Sequence, residues 1–271
     1  MLNRTEQRNP KTTHVDTMSS LEMVRLMNEE NMYSVMAVDR ALPDIARAVD
    51  AAARAIGNGG KMVYIGAGTS GRLGVLDASE CPPTFGVEQH VVQGIIAGGL
   101  ERLVTAGENA EDSYENGVRD VENVLKAGDV LVGISAAGGA RYVVGAMEKA
   151  REMGCVTVSV SSNPDTAIAK VADIAIVCET GPEFITGSTR LKAGNSQKFV
   201  LNMLSTCAMV HTGKVYENLM INLKPSNEKL RGRVIRITAA ILDCPEAEAE
   251  KLLEQHDFNI RKTVDSVKAG R

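Results

Sequence analysis

The chain has no tryptophan, and only 3% of its residues are aromatic, so its core must be built from Val, Ile, Leu, Ala and Met. It has no excess of positive charge either. The formal net charge is −4, and no Lys/Arg stripe is interleaved with aromatics, which disfavours nucleic acid as a partner. Histidine is sparse: His14, His90, His211 and His256 stand isolated, with no H-E-x-x-H or similar spacing, so no zinc site is expected. No stretch approaches the ~18 uninterrupted apolar residues that span a bilayer, so no membrane segment is expected. The opening Met-Leu-Asn-Arg-Thr-Glu contains no apolar region of the kind that directs export. The five cysteines (Cys81, Cys155, Cys178, Cys207 and Cys244) are odd in number and form no C-x-x-C pair. Cys155 and Cys178 sit in apolar runs, where cysteine behaves as a small buried hydrophobe. Reduced thiols in a cytoplasm are the expectation.

What is present suffices for a large fold. With 271 residues and an apolar fraction of 44%, the chain can form one large α/β domain, alone or with small additions. Up to about Gly60 the pattern is helical. Leu21, Val24 and Leu26 fall near helical spacing within Ser19–Met27. Leu42, Ile45, Ala48, Val49, Ala52 and Ile56 repeat it within Ala41–Ile56. Asn58-Gly59-Gly60 then supplies a stop. Strands are expected at Met62–Ile65, Val91–Ala97, Val130–Ile134, Val156–Val160 and Ile174–Cys178. Helices are expected between them near Arg72–Ala78, Asp112–Lys126, Arg141–Met153 and Pro164–Val171, and a long one near Ser196–Val210 closes the unit. Continuous apolar strands alternating with helices imply a parallel sheet covered on both faces. From about Asn222 the composition turns charged and polar. Pro245 is placed to start a helix, with short helices at Ala247–Gln255 and Ile260–Val267. The expected division is therefore 1–60 N-terminal helices, 61–221 an α/β domain, and 222–271 a small helical module suited to packing or dimer contact.

Directly after the first strand stands Gly66-Ala-Gly68-Thr69-Ser70-Gly71, which fits G-x-G-x-x-G. The rest of a dinucleotide fingerprint is missing, because the second strand ends in Gly98-Gly99 with no acid to hold a ribose. No Gly-Lys-Ser/Thr follows, which excludes a Walker A loop. What remains is a glycine loop ahead of a helix, whose N–H groups and the hydroxyls of Thr69 and Ser70 suit one phosphate monoester. The alternative is a tight strand-to-helix turn without a ligand. A second loop of similar character, Gly133-Ile-Ser135-Ala-Ala-Gly138-Gly139, follows another strand. Two such loops at the carboxyl ends of parallel strands resemble the sugar isomerase (SIS) domain, a phosphosugar-binding α/β fold.

Two carboxylates stand near these loops in sequence. Glu80 precedes Cys81-Pro82-Pro83, where the prolines stiffen the chain; it reads either as a turn residue or as an acid/base. Glu111 lies in Asn109-Ala-Glu111-Asp112-Ser113 ahead of an amphipathic helix. Asn109 as N-cap with acids in the first turn explains it as well as chemistry does.

The run from Tyr64 to Gly86, containing Gly66-Ala-Gly-Thr-Ser-Gly-Arg72 and Asp77-Ala-Ser-Glu80-Cys-Pro-Pro-Thr84, resembles the signature of the N-acetylmuramic acid 6-phosphate etherases. The likeness extends along the chain through Thr5-Glu6, Arg8-Asn9, Gln93–Gly98, Thr186–Gly194, Asn202–Thr206 and Asn227–Leu230. The second loop departs from that family: Ala137, Gly139 and Ala140 replace its usual Ser, Arg and Thr, while Ser135 and Arg141 offer a hydroxyl and a cation from shifted positions. Asn195-Ser196 replaces its usual Thr-Ala. The resemblance implies an elimination. The open-chain sugar loses its C2 proton, lactate leaves C3, and water adds to the double bond. It places the two implicated glutamates at Glu80, as proton donor, and Glu111, as base. Gly66, Gly68, Thr69, Ser70, Gly71 and Ser135 would hold the phosphosugar without a cofactor or metal. It also implies a homodimer, since SIS pockets are commonly completed by a second subunit. The competing function is a phosphosugar sensor without catalysis, as in the related glucokinase regulatory proteins; retention of both glutamates argues against it.

Overall fold

A computed structural model describes residues 3–269 except 106, 108, 109, 224 and 226. The chain falls into two compact units, one of residues 1–78 and 90–208 and the other of residues 79–89 and 209–271.

The first unit opens on a single helix, α1 (Ser20–Gly57), rather than the two helical stretches expected. Ser19 caps it: its hydroxyl accepts from the Glu22 N–H while the Glu22 side chain accepts from the Ser19 N–H, a reciprocal capping box. Pro43 lies inside α1, where it removes one helix hydrogen bond, and it and Asp39, four residues earlier, are both exposed. Asn58 ends the helix, as the sequence suggests. Then come β1 (Met62–Gly66), α2 (Gly68–Phe85), β2 (Val92–Ile96), α3 (Tyr114–Glu122), β3 (Val130–Ile134), α4 (Arg141–Glu152), β4 (Val156–Ser161), α5 (Ala167–Lys170), β5 (Ile174–Val177) and α6 (Lys192–His211). The five strands form one parallel sheet in the order β2-β1-β3-β4-β5. Helices cover both faces. Val63, Ile65 and Leu131 pack with Val121, Tyr142, Val143 and Met147 of α3 and α4. From the other face Tyr64 donates to Asp77 of α2 at 2.9 Å. This is the expected SIS-type architecture.

Three local expectations are corrected. Glu80 does not sit on a turn, because α2 continues through Pro82 and Pro83 to Phe85. Proline φ is already helical, and the Gly86 N–H closes the last turn on the Pro82 carbonyl at 2.9 Å. The first-turn reading of Glu111 also fails: α3 starts at Tyr114, capped by Ser113, and Glu111 precedes it. Asn109 lies outside the described residues. Finally, the C-terminal module holds more than two short helices.

That second unit contains a hairpin of β6 (Val215–Tyr216) and β7 (Leu219–Met220), then α7 (Glu228–Leu242), α8 (Glu246–Glu254) and α9 (Ile260–Ala269). Its own core gathers Ile221, Leu223, Val234, Leu242, Leu253, Ile260 and Val264. Asn227 caps α7 by accepting from the Leu230 N–H at 2.9 Å. Pro245 stands at the N-cap of α8, as expected.

Candidate active site

Topology fixes where a ligand can enter. The chain runs from β1 outward to β2, then returns across β1 to β3, so the connections leaving β1 and β3 diverge. In open parallel sheets that switch point leaves a crevice at the carboxyl strand ends. β1 and β3 end level, with Gly66 paired to Ile134. The two small-residue loops found in the sequence therefore start side by side.

In the first loop, glycine is required by contact. A Cβ on Gly66 would lie 2.8 Å from the Gly71 nitrogen, and one on Gly71 would lie 2.5 Å from the Gly66 oxygen. Gly68 differs: its φ is +53°, and nothing stands within 4 Å of where its Cβ would point. Gly68 borders a cavity of about 290 Å³ together with Thr69, Ser70, Ser135, Glu111 and Thr189. Ser70 is buried, and its hydroxyl donates to Gln197 Oε1 of α6 at 3.0 Å. The buried Gln197 Nε2 has no partner among the described residues. No sequence motif marked Gln197; only the packing of α6 on the loop reveals it.

The second loop presents Ser135 together with Ala136, Ala137 and Ala140 to the same cavity. Ser135 Oγ accepts from the Gly138 N–H at 3.1 Å, which shapes the loop from within. Arg141 is exposed and does not line the cavity. Ala140 is the N-cap of α4 and offers no side-chain bond, so the first turn of α4 lacks the cap that a hydroxyl there would give. The other departures, Asn195 and Ser196, serve structure: Asn195 Nδ2 donates to Asn31 at 3.3 Å, and Ser196 Oγ donates to the Ala193 carbonyl at 2.7 Å.

Glu111 is exposed and is anchored through its backbone, its carbonyl accepting from the Tyr142 N–H at 3.0 Å. It borders the first cavity and also a second one of about 440 Å³, shared with Gly68, Arg72, Arg102 and Asp112. Glu80 is exposed, belongs to the second unit, and lines neither cavity. Among the expected site residues, Gly68, Thr69, Ser70, Ser135 and Glu111 thus meet around one space. Gly66 and Gly71 shape that space from behind. The start of α2 and the start of α4 both border it, and helix N-termini favour an anion. A phosphate bound there would leave a carboxylate beside the adjoining sugar.

Among the described residues no group of three His, Cys, Asp or Glu side chains could hold a metal ion. Nor is any helix long and apolar enough to cross a membrane. No disulfide joins any of the five cysteines, and burial pushes the Cys155 thiol up to about 11 and Cys178 up to about 12.

Residues 44–151 match the family model of the glucokinase regulatory protein N-terminal SIS domain. The chain is 51% identical over 267 residues to the N-acetylmuramic acid 6-phosphate etherase of Aeromonas hydrophila subsp. hydrophila, covering 98% of this chain and 90% of that one. It is 52% identical over 260 residues to the protein of the same name from Salmonella typhi, covering 96% and 88%. Among solved structures, a phosphoheptose isomerase from Neisseria gonorrhoeae superposes with a TM-score of 0.54 at 19% identity, over 70% of this chain and 98% of that one. At that identity the superposition speaks for the fold alone.

Proposed function

The chain belongs to the N-acetylmuramic acid 6-phosphate etherase family, and from that premise we propose which of its residues carry the reaction. It is a carbon–oxygen lyase that cleaves the D-lactyl ether of N-acetylmuramic acid 6-phosphate, giving N-acetylglucosamine 6-phosphate and D-lactate. The observation carrying this is identity of about half of all residues over nearly the full length of both chains.

The ether oxygen is a poor leaving group, so the C3–O bond breaks by elimination. In the open-chain sugar the aldehyde acidifies the C2 hydrogen. A carboxylate takes that proton, the electron pair forms the C2–C3 double bond, and lactate departs with a proton from an acid. Water then adds its oxygen to C3, a proton returns to C2, and the ring recloses. Glu111 is the base in this reading, supported by its place between the two cavities at the crevice. Glu80 protonates the leaving oxygen; its role rests on the signature run that contains it. Phosphate occupies the smaller cavity, held by the N–H groups opening α2 and by Thr69, Ser70 and Ser135, with Gly66, Gly68 and Gly71 allowing close approach. The enzyme works as a cytoplasmic homodimer without a cofactor. Reduced cysteines support the location, and an apolar face on α1 supports the dimer.

The deciding experiment incubates the purified protein with N-acetylmuramic acid 6-phosphate and measures free D-lactate. Release is expected from the wild type. Glu111→Gln and Glu80→Gln should each lower turnover by about 10²–10⁴ while the protein stays folded. In heavy water, the variant lacking the base should fail to exchange the C2 hydrogen, whereas the variant lacking only the acid should still exchange it. Near-normal lactate release by either variant would remove that residue from the mechanism.

A further inference from the structure

The larger cavity contains two arginines that the sequence reading did not use. Arg72 opens onto it from α2, and Arg102 from the segment after β2. Arg72 is held by backbone. Arg72 donates from Nε to the Leu103 carbonyl and from Nη2 to the Thr105 carbonyl, each at 3.1 Å. A guanidinium has five N–H donors, so most of the fork stays available, and Nη1 bonds no described residue. Arg102 runs between two glycines: a Cβ on Gly107 would stand 2.5 Å from its Cζ, and one on Gly98 would stand 3.0 Å from its Cγ. The two glycines leave room where the Arg102 side chain passes.

The neighbouring smaller cavity has no Lys or Arg among the described residues of its lining; it offers hydroxyls and two helix starts, and Glu6 and Glu111 border it. The two cavities meet at Ala67, Gly68 and Glu111. A tetrahedral phosphate suits the converging N–H groups and hydroxyls. A planar carboxylate suits a guanidinium fork. The substrate of the reading above carries one of each, the phosphate on C6 and the carboxylate on the lactyl group at C3. The C3–O bond that breaks lies between them, with C2 next to it, and Glu111 lies where the cavities meet.

We propose that Arg102, with Arg72 beside it, binds the lactyl carboxylate of the substrate and thereby sets the preference for a carboxylate-bearing ether. The inference rests on the etherase reading. It makes the arginine pair the part of the site that distinguishes substrate from product, since N-acetylglucosamine 6-phosphate has no carboxylate. The contact also opposes the negative charge that gathers on lactate as the C3–O bond breaks.

The test compares kcat/KM for N-acetylmuramic acid 6-phosphate with that for its lactamide, in which a neutral amide of the same shape replaces the carboxylate. Wild type should prefer the carboxylate by about 10- to 100-fold, the effect of a hydrogen bond to a charged group. Arg102→Met should bring the two substrates close to parity, and Arg102→Lys should restore part of the preference. Competitive inhibition by N-acetylglucosamine 6-phosphate, which keeps the phosphate and lacks the lactyl group, should change little in either variant and shows that the variant is folded. An undiminished preference in Arg102→Met would overturn the proposal. Equal weakening of inhibition by N-acetylglucosamine 6-phosphate would overturn it too, by assigning the arginine to phosphate. Absence of lactate release by the wild type would instead overturn the etherase reading and this inference with it.

Discussion

Lys192 and Glu30 are almost closed off from solvent, with side-chain exposures of 4% and 3%, and their charged atoms lie 2.5 Å apart. Asn9 Nδ2 adds a bond to the same Glu30 oxygen at 2.8 Å. Burial pushes the Glu30 carboxyl up, but the hydrogen bond and charge of Lys192, helped by Asn9 and Lys11, hold it below its ordinary value of 4.5. The pair therefore stabilises the fold above that pH, and its contribution is lost as pH falls through the depressed value. Glu183 runs the other way. It accepts from the Lys192 and Ala193 N–H groups at 2.9 Å each, yet burial raises its carboxyl. Lys192→Met should lower the unfolding free energy near neutrality by up to about 3–5 kcal/mol, because it leaves a buried carboxylate with only Asn9 and the exposed Lys11, 3.5 Å away. The gap to wild type in urea denaturation should narrow as pH falls below 4.5; a gap independent of pH would show that lost packing, not charge, is responsible. Lys192 lies in a stretch the sequence ties to the family without saying why, and burial supplies a reason. Legibility follows the same division elsewhere. That Gly68, Thr69 and Ser70 border one cavity was readable, because a glycine loop with hydroxyls between a strand and a helix stands out in sequence. Arg72 and Arg102 were not, because only the return of the chain through β2 puts them on one cavity.

Helices α3 and α4 hold Glu111 in place, and two glycines govern how closely they meet. A Cβ on Gly117 would stand 1.9 Å from the Tyr142 oxygen, and one on Gly145 would stand 2.5 Å from the Tyr114 oxygen. Gly117→Ala ought to stabilise a free helix by about 1 kcal/mol. In this fold it should destabilise by about 1–3 kcal/mol and lower turnover, since α3 must retreat and the Tyr142 N–H to Glu111 carbonyl bond goes with it. Thermal melting and lactate release report the two effects, and a more stable variant with full activity would rule the contact out. Ala140→Thr acts at the start of α4. The backbone there, with φ −59° and ψ 112°, already has the extended ψ that an N-cap uses. The Tyr142 and Val143 N–H groups already bond the Glu111 and Ala140 carbonyls at 3.0 Å each. A hydroxyl should therefore add less in urea denaturation than the ~1 kcal/mol of an unopposed cap, and a full gain would mean that those two bonds contribute little. β1 and β3 were legible because strands buried on both faces read as unbroken apolar runs, whereas β2 and β5 lie at the sheet edges and are only part-buried. Helix α7 was missed because Lys229, Arg231, Arg233 and Arg236 make its composition read as a polar tail, although Val234 and Leu242 face its core. The middle of α1 was missed for a different reason: apolar residues occur there on the outward side as well, which blurs the helical period.

For the proposed homodimer, the outward side of α1 is the candidate surface. Leu21, Val24, Met32, Val35, Met36 and Leu42 are all exposed, and Phe199 of α6 joins them. Val35, Leu42, Phe199 and Met203 border a shallow, mainly apolar cavity of about 270 Å³. Single exposed apolar residues are ordinary, whereas a row of them along one helix marks a covered surface. A twofold dimer places the same patch against itself, so a charge introduced on the patch meets its own copy across the axis. With 50% and 51% of their surfaces exposed in the single chain, Val35 and Met36 can be changed without opening the core. The double substitution Val35→Asp and Met36→Asp should halve the mass measured by light scattering at micromolar concentration, with the circular dichroism spectrum unchanged. If the homodimer is needed for activity, kcat/KM of the double variant should rise with protein concentration as the weakened dimer re-forms, while wild type shows no such dependence over the same range. A wild type that is already monomeric, or a double variant that keeps the wild-type mass, would refute the dimer on this face.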